Sequence, residues 1–370
     1  MKRTLAIVER EMRRFRRSPF LIVMSMVFPL AQLVVLGYAF GGNVKHLKLA
    51  IVDQDHGLPA VRVREMAGAV ASGARTLDLF DYTDPGVALA DLRNGHVNGV
   101  LMIPPDFSRR SLAKNQPRVA LIADNTDTFV SATLAGTMTG VIASLNSPAT
   151  VPRVAAAPSL DVVEVYPYVP YIQYLLPGSV TMSIFMMVMI GGGIIFIDDK
   201  ARGLHEGYLV TPITKLELIA GFNISGTIKA VLAGVAIMIL GSIIAGVPNP
   251  LDPMRMLRLT VVITITSFAL VSMMFMLMAR MSDPLMPRAM FGLLNTVLYF
   301  PSGAVYPQQG FPGWMRVIAA VDPFTYAVHA FKSLLLKNTG FEAIGGDLLY
   351  LVGFSAVTMA VAVVLFKRTL

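Results

Sequence analysis

The chain has 370 residues, of which 55% are hydrophobic and only 15% charged, and its mean hydropathy is +0.63. That balance excludes a water-soluble globular protein and identifies an integral membrane protein. Much of the formal charge of +8 lies beside the first apolar segment, where lipid phosphate and membrane topology account for it without nucleic acid, and the absence of cysteine excludes disulfides, zinc–thiolate sites and cysteine nucleophiles.

Residues 2–17, KRTLAIVEREMRRFRR, space Leu5, Val8, Met12 and Phe15 by three and four, with Arg10, Arg13, Arg14 and Arg17 on other faces. The pattern predicts a basic amphipathic helix in the cytoplasmic headgroup region, within residues 1–19. No small-residue cleavage site follows, so the segment does not read as a signal peptide. Ser18-Pro19 turns the chain into a first span over residues 20–42, and the arginines hold its start in the cytosol. Gln32, inside this span, either lines a pathway or bonds a neighbouring helix.

Residues 43–168 have the composition of a soluble domain. LKLAIVD, TLDLFDY, GVLMIP and RVALIAD read as strands bounded by Asp, Pro and Asn. PAVRVREMAGAVAS, PGVALADLRNG and TFVSATLAGTMTGVIASLN have helical spacing. The alternation predicts an α/β domain, which must be extracytoplasmic because it follows a span that starts in the cytosol. Asp53, Asp55 and His56 sit together as a metal site would require, but Asp-Gln-Asp-His-Gly is good turn chemistry and reads as a turn. Asp124, Asn125, Thr126 and Asp127 read as a turn ending in a helix cap. No catalytic motif is present, so no enzyme, metal site or catalytic residue is predicted.

Residues 169–370 carry five further spans. The second runs from about Tyr171 to Ile197, with Tyr166, Tyr168, Tyr171 and Tyr174 as an interfacial belt at its outer end. Gly191, Gly192 and Gly193 near its inner end suit close packing or a hinge. A polar passage over residues 198–217 follows, DDKARGLHEGYLVTPITKLE, between two of the most apolar stretches of the chain. In it a short helix stops near Thr211, ahead of Pro212, and a second starts with Thr214 as N-cap and Glu217 as its capping-box partner.

The third span covers about Leu218 to Val247 and contains Lys229, a cation about a dozen residues deep, where charge is costly and either functional or locally paired. The fourth runs from about Leu257 to Met278 and the fifth from about Pro287 to Ala304. Residues 305–340 are too broken by proline to span and predict short re-entrant helices tucked into the outer leaflet. The sixth span, about Leu348 to Phe366, returns the chain to the cytosol, so both termini are cytoplasmic. The fold class is thus an α-helical polytopic membrane protein with six transmembrane helices, an N-terminal interfacial amphipathic helix and an α/β extracytoplasmic domain inserted between spans 1 and 2.

The loop with Gly203, Glu206, Leu209-Val210-Thr211-Pro212, Lys215-Leu216-Glu217-Leu218 and Gly221 resembles the signature of ABC-2 type permeases, the membrane subunits of type V ABC exporters. The stretch PSGAVYPQQGFPGWMRVIAAVDPFTYAVHAFK resembles that family's second signature. The likeness is full-length and strongest to bacterial multidrug efflux permeases of the inner membrane. It implies that the loop is a coupling helix seated in a separate ABC ATPase, with Gly203, Glu206, Leu209, Thr211 and Pro212 shaping it and Arg10, Arg13, Arg14 and Arg17 beside the ATPase and membrane lipids. Ala201, Leu204, His205 and Phe222 depart from the family pattern.

The resemblance also implies a second permease subunit, identical or paralogous, and leaves open a periplasmic adaptor. Gln32, Lys229, Asn295 and Tyr299 are candidates for the translocation path of an amphipathic, drug-like or lipid-like substrate. The chain lacks a phosphate-cradling Gly-x-x-x-x-Gly-Lys-Ser/Thr loop, so it binds no cofactor itself, and ATP and Mg belong to the partner ATPase. Two alternatives stand beside this reading: a membrane receptor or assembly scaffold that binds a partner through its external domain, and a secondary transporter, which would carry internal repeats.

Overall fold

A computed structural model describes residues 2–41, 46–74, 76–124, 128–146, 169–194, 196, 197, 203, 211, 213–281, 283 and 285–365. The chain forms two compact units, one made of Met1–Gly41 with Glu164–Leu370 and the other of Gly42–Val163. It opens with α1 (Lys2–Arg16) and α2 (Pro19–Gly41) of the first unit before entering the second.

The second unit carries a four-stranded sheet in the order β2-β1-β3-β4, with β1 (Leu47–Asp53), β2 (Leu77–Tyr82), β3 (Gly99–Ile103) and β4 (Ala120–Ala123). β1 pairs in parallel with β2 and β3, and β3 pairs antiparallel with β4. All four fall on the runs that the sequence marks as strands. LKLAIVD is central because it is apolar on both faces, and Leu49, Ala50 and Val52 are fully buried. One face packs Leu49, Leu101 and Ile103 under α3 (Leu58–Ala74) and a later helix, while the other packs Ala50, Val52 and Val100 under α4 (Pro85–Arg93). A short α5 (Phe107–Leu112) was not expected; it opens at Phe107, which is buried beneath the sheet. The helix that completes the first face is α6 (Thr128–Asn146), with Leu134, Met138 and Val141 in the core.

Asp53, Asp55 and His56 form a turn. Asp53 Oδ1 accepts the amides of Asp55 and His56, each at 3.0 Å, and Asp55 accepts those of Gly57 and Ser108, each at 3.2 Å. Asn125, Thr126 and Asp127 lie outside the described residues.

The first unit is organised around α7 (Tyr171–Val188), which runs on as a π-helical turn over Met189–Ile194. Every residue from Leu175 to Val188 is buried, because the helix is apolar on all sides and packs against α2, α8 (Lys215–Ile244), α9 (Pro253–Met278) and α12 (Pro323–Leu336). Among the described residues five helices are long and apolar enough to cross a membrane: Ile22–Phe40, Tyr171–Gly193, Lys215–Ile244, Pro253–Met278 and Phe341–Leu365. They correspond to the first, second, third, fourth and sixth expected spans.

The expected fifth span is different. It is α10 (Leu285–Tyr299), with 15 residues and a length of about 22 Å against about 30 Å of hydrocarbon. Pro301 stops it, and Gly303, at a φ of 82°, turns the chain so that Ala304 packs on Gly178 of α7 instead of extending the helix. Beyond it come α11 (Gly313–Val321), α12 and α13 (Gly345–Leu365). α12 starts on Asp322, whose carboxylate accepts the Phe324 amide at 2.8 Å, and it buries Phe324 and Phe331 completely. Its apolar face thus packs against protein.

In the second unit Tyr82 donates a hydrogen bond of 2.7 Å to Asp91, and His96 lies 3.1 Å from the same carboxylate. The Tyr82 hydroxyl, and after it His96, hold Asp91 below the usual carboxylate range, while the same bond pushes Tyr82 up. A lowered acid stabilises the fold above its unfolded pKa, and that contribution fades as pH falls through the folded one. A raised phenol contributes below its unfolded pKa and fades as pH rises through the folded one. Asp91→Asn is therefore expected to flatten the acid limb of the thermal stability profile of the full chain below about pH 4, checked by circular dichroism melts. An unchanged acid limb would remove the pair from the account.

Candidate functional site

The polar passage returns to the membrane through a capped helix start. Thr214 Oγ1 accepts the Glu217 amide at 3.2 Å, and Glu217 Oε2 accepts the Thr214 amide at 3.0 Å, which closes the predicted capping box. Two orphan donors of α8 are satisfied by two side chains in reach of each other. Gly203 has a φ of 73° and Thr211 is half-buried. Glu206, Leu209 and Pro212 lie outside the described residues, as does the short helix expected to end near Thr211.

α1 packs along the first half of α8. Ile7, only 3% exposed, sits over Gly221, where a Cβ would come within 2.9 Å of its own. One turn further along α1, Glu11 Oε2 accepts a 2.8 Å bond from Lys229 Nζ, and the two side chains are 5% and 4% exposed. The lysine reaches back toward the start of α8, the direction in which helical side chains lean. Its second acceptor is the Gly191 carbonyl of the π-helical turn, at 3.3 Å, and the Phe15 ring lies 6.0 Å away. A single ammonium thus joins three elements: α1, α7 and α8.

The π turn is shaped by close contact. A Cβ on Gly193 would meet Met274 Sδ at 2.7 Å, so glycine lets α9 approach the backbone of α7. Below it Phe196, Phe222 and Phe275 pack with centroids 5.2 to 6.0 Å apart, clamping the end of α7 to α8 and α9. Asn223 Nδ2 donates to Ser272 Oγ at 2.7 Å between α8 and α9, a buried polar link of the kind that holds membrane helices together.

The basic helix differs from its expected orientation. Leu5, expected on the apolar face, is 68% exposed, and the buried positions are Ile7 and Glu11. The correction has a simple cause: the face is chosen by Gly221 and Lys229, not by hydrophobicity alone. Arg10, Arg13, Arg14 and Arg17 line one open groove of 420 Å³ with Glu9 and Ser18. Arg13 is bonded to Glu9, and Arg10 lies 3.7 Å from Glu11.

Gln32 on α2 and Asn295 on α10 each bury an amide oxygen without a donor, and Tyr299 closes α10 at 3% exposure with its ring edge-on to Phe300. Among the described residues no hydrogen bond or ion pair joins any two of Gln32, Lys229, Asn295 and Tyr299. Glu11 and Asn223 are functional candidates that sequence reasoning missed. An acid at the buried i+4 position from Ile7, together with an otherwise lone intramembrane lysine, was the signal that could have found the first.

The ABC-2 family transporter protein model matches residues 19–364. The chain is 25% identical over 292 residues to the inner membrane transport permease YhhJ of Escherichia coli, covering 76% of each. It is 21% identical to the probable multidrug ABC transporter permease YbhS of the same organism, over 100% of this chain and 98% of that one. The daunorubicin resistance ABC transporter permease protein DrrB1 of Streptomyces coeruleorubidus is 23% identical over 54% of this chain and 69% of its own.

Removing one member of a buried ion pair leaves the other uncompensated, at a cost of about 3–5 kcal/mol. Glu11→Ala and Lys229→Met should each lower the melting temperature of the detergent-purified chain. The double variant should be more stable than the sum of the two losses implies. Strictly additive losses would show that the carboxylate and ammonium do not act as a pair.

Proposed function

The chain belongs to the ABC-2 family of transporter proteins and is a permease subunit of an ABC transporter, and we propose on that premise how its parts serve ATP-driven efflux. Residues 198–217 form the coupling element that enters a separate ABC ATPase, and the groove of arginines on α1 meets the ATPase and anionic lipid. The observation that carries this reading is the buried Glu11–Lys229 pair with its bond to Gly191. The helix that continues the loop is thereby tied to α1 on one side and to the π turn of α7 on the other. A displacement of the loop is passed to the core helix through charged contacts, and π turns are places where helices yield.

Six crossings complete the proposed topology. Leu285 to Ala304 makes the fifth, with α10 supplying most of the depth and the turn at Gly303 the rest, and both termini face the cytosol. A second permease subunit, identical or paralogous, faces this one. Gln32 and Asn295, each with an unpartnered buried oxygen, serve either that interface or the substrate path. The names of the relatives, multidrug and daunorubicin resistance permeases, favour an amphipathic, drug-like substrate.

The test is ATP hydrolysis by the partner ATPase, co-reconstituted in lipid with this chain. Wild type is expected to form a complex and alter turnover; the Glu206→Ala, Pro212→Ala variant should still fold and insert but lose that effect. Glu11→Gln should bind the ATPase with weakened stimulation. If the wild-type chain neither binds nor affects the ATPase, the coupling reading fails and the external unit becomes the place to seek a receptor or scaffold role.

A further inference from the structure

At the end of α7 remote from the polar loop lies an open pocket of 710 Å³ that the transport reading does not use. Three basic side chains, Arg316, His329 and Lys332, and one carboxylate, Asp347, line it. Asp347 is taken by His329, at 2.7 Å, and it holds the imidazole above its ordinary pKa. Lys332 is half-buried, yet its partners carry no net charge: Nζ donates to the Gly303 carbonyl at 2.6 Å and stands 3.4 Å over the centre of the Tyr174 ring. Among the described residues no carboxylate lies within ion-pair distance of Lys332 or Arg316. The pocket therefore offers two basic side chains without a carboxylate partner.

Its surroundings are amphipathic. Ala319, Val328 and Tyr326 supply apolar wall. Along α11, Arg316, Ala319 and Ala320 share the face that lines the pocket, while Trp314, Val317 and Val321, exposed by 64%, 68% and 64%, lie on another face. A small hydrated anion has no use for the apolar wall, whereas an acyl or aromatic tail does.

We propose that this pocket binds the phosphate or carboxylate headgroup of an amphipathic anion, with Lys332 and Arg316 as its charged partners and the apolar wall of Ala319, Val328 and Tyr326 receiving the start of its tail. Charge complementarity selects the ligand class, since Lys332 and Arg316 have no carboxylate partner and the one carboxylate of the pocket is engaged by His329. Burial brings the Lys332 ammonium down to about 7, and a bound anion would restore its charge. The site stands apart from the coupling loop, and binding to it requires neither ATP nor a partner.

The test uses the full chain purified in a nonionic detergent and follows binding by native mass spectrometry and by the fluorescence of Trp314, the single tryptophan, two positions from Arg316. Phosphatidylglycerol is expected to bind saturably and about tenfold more tightly than phosphatidylcholine of the same chains, as loss of charge-assisted bonds predicts. Arg316→Gln and Lys332→Gln should each abolish that preference, and Lys332→Arg should retain it. Arg316 is exposed, so its variant tests the site even if Lys332→Gln fails to fold. Competition by millimolar inorganic phosphate would keep the site but assign it to free anions as well as lipid headgroups. Equal binding of the two lipids, or an Arg316→Gln variant with unchanged preference, would overturn the proposal.

Discussion

The bond between Lys229 and Glu11 is the constraint from which the membrane unit follows. An ammonium within a span costs about 2.5–3.5 kcal/mol even by insertion scales, and neither snorkelling nor water relieves one that is 4% exposed. A carboxylate has to be delivered to it. The only way to deliver Glu11 is to dock α1 lengthwise on α8, and that in turn demands a residue without a side chain beneath Ile7, which Gly221 provides. The second bond of Lys229, to Gly191, falls on the π turn that continues α7. A well-packed apolar replacement for the pair would be no less stable. The pair is better understood as a device that fixes the register of three elements.

The second unit solves a different problem without cysteine. Its sheet is covered on both faces, and the central strand is so apolar that it could occupy no edge without exposing Leu49 or Val52. Side-chain carboxylates do the local work: Asp53 and Asp55 fix the turn after β1, and Asp84 caps α4 by accepting the Gly86 amide at 2.8 Å. The unit thus relies on core and turn chemistry in place of covalent staples.

Local signals were legible in the sequence and long-range ones were not. The four strands, the Thr214–Glu217 capping box and the five long spans are written in residues within a few positions of one another. The docked face of α1 was misjudged because Glu11 and Lys229 are separated by 218 positions, and no periodicity in residues 2–17 announces a buried acid. Hydropathy likewise carried the fifth span through to Ala304, since apolar content does not record that Pro301 and a left-handed Gly303 end the helix at Tyr299. The anion pocket was invisible for the same reason, because Tyr174 and Lys332 meet only through tertiary packing.

Lys229, buried, and Lys332, half-buried, make opposite bargains, and α7 connects them. Lys229 is neutralised by a carboxylate and bound to the backbone of the π turn at Gly191; Lys332 is held by a carbonyl and by the face of Tyr174, without a counter-charge. Gly191 and Tyr174 are 17 positions apart on one nearly continuous helix, about 25 Å of rise. Between them every residue from Leu175 to Val188 is packed in the core, with Pro177 near one end and the π turn at the other. The closed ion pair ties one end of α7 to α1 and α8, and at the other end Lys332 stands over Tyr174 without a carboxylate partner.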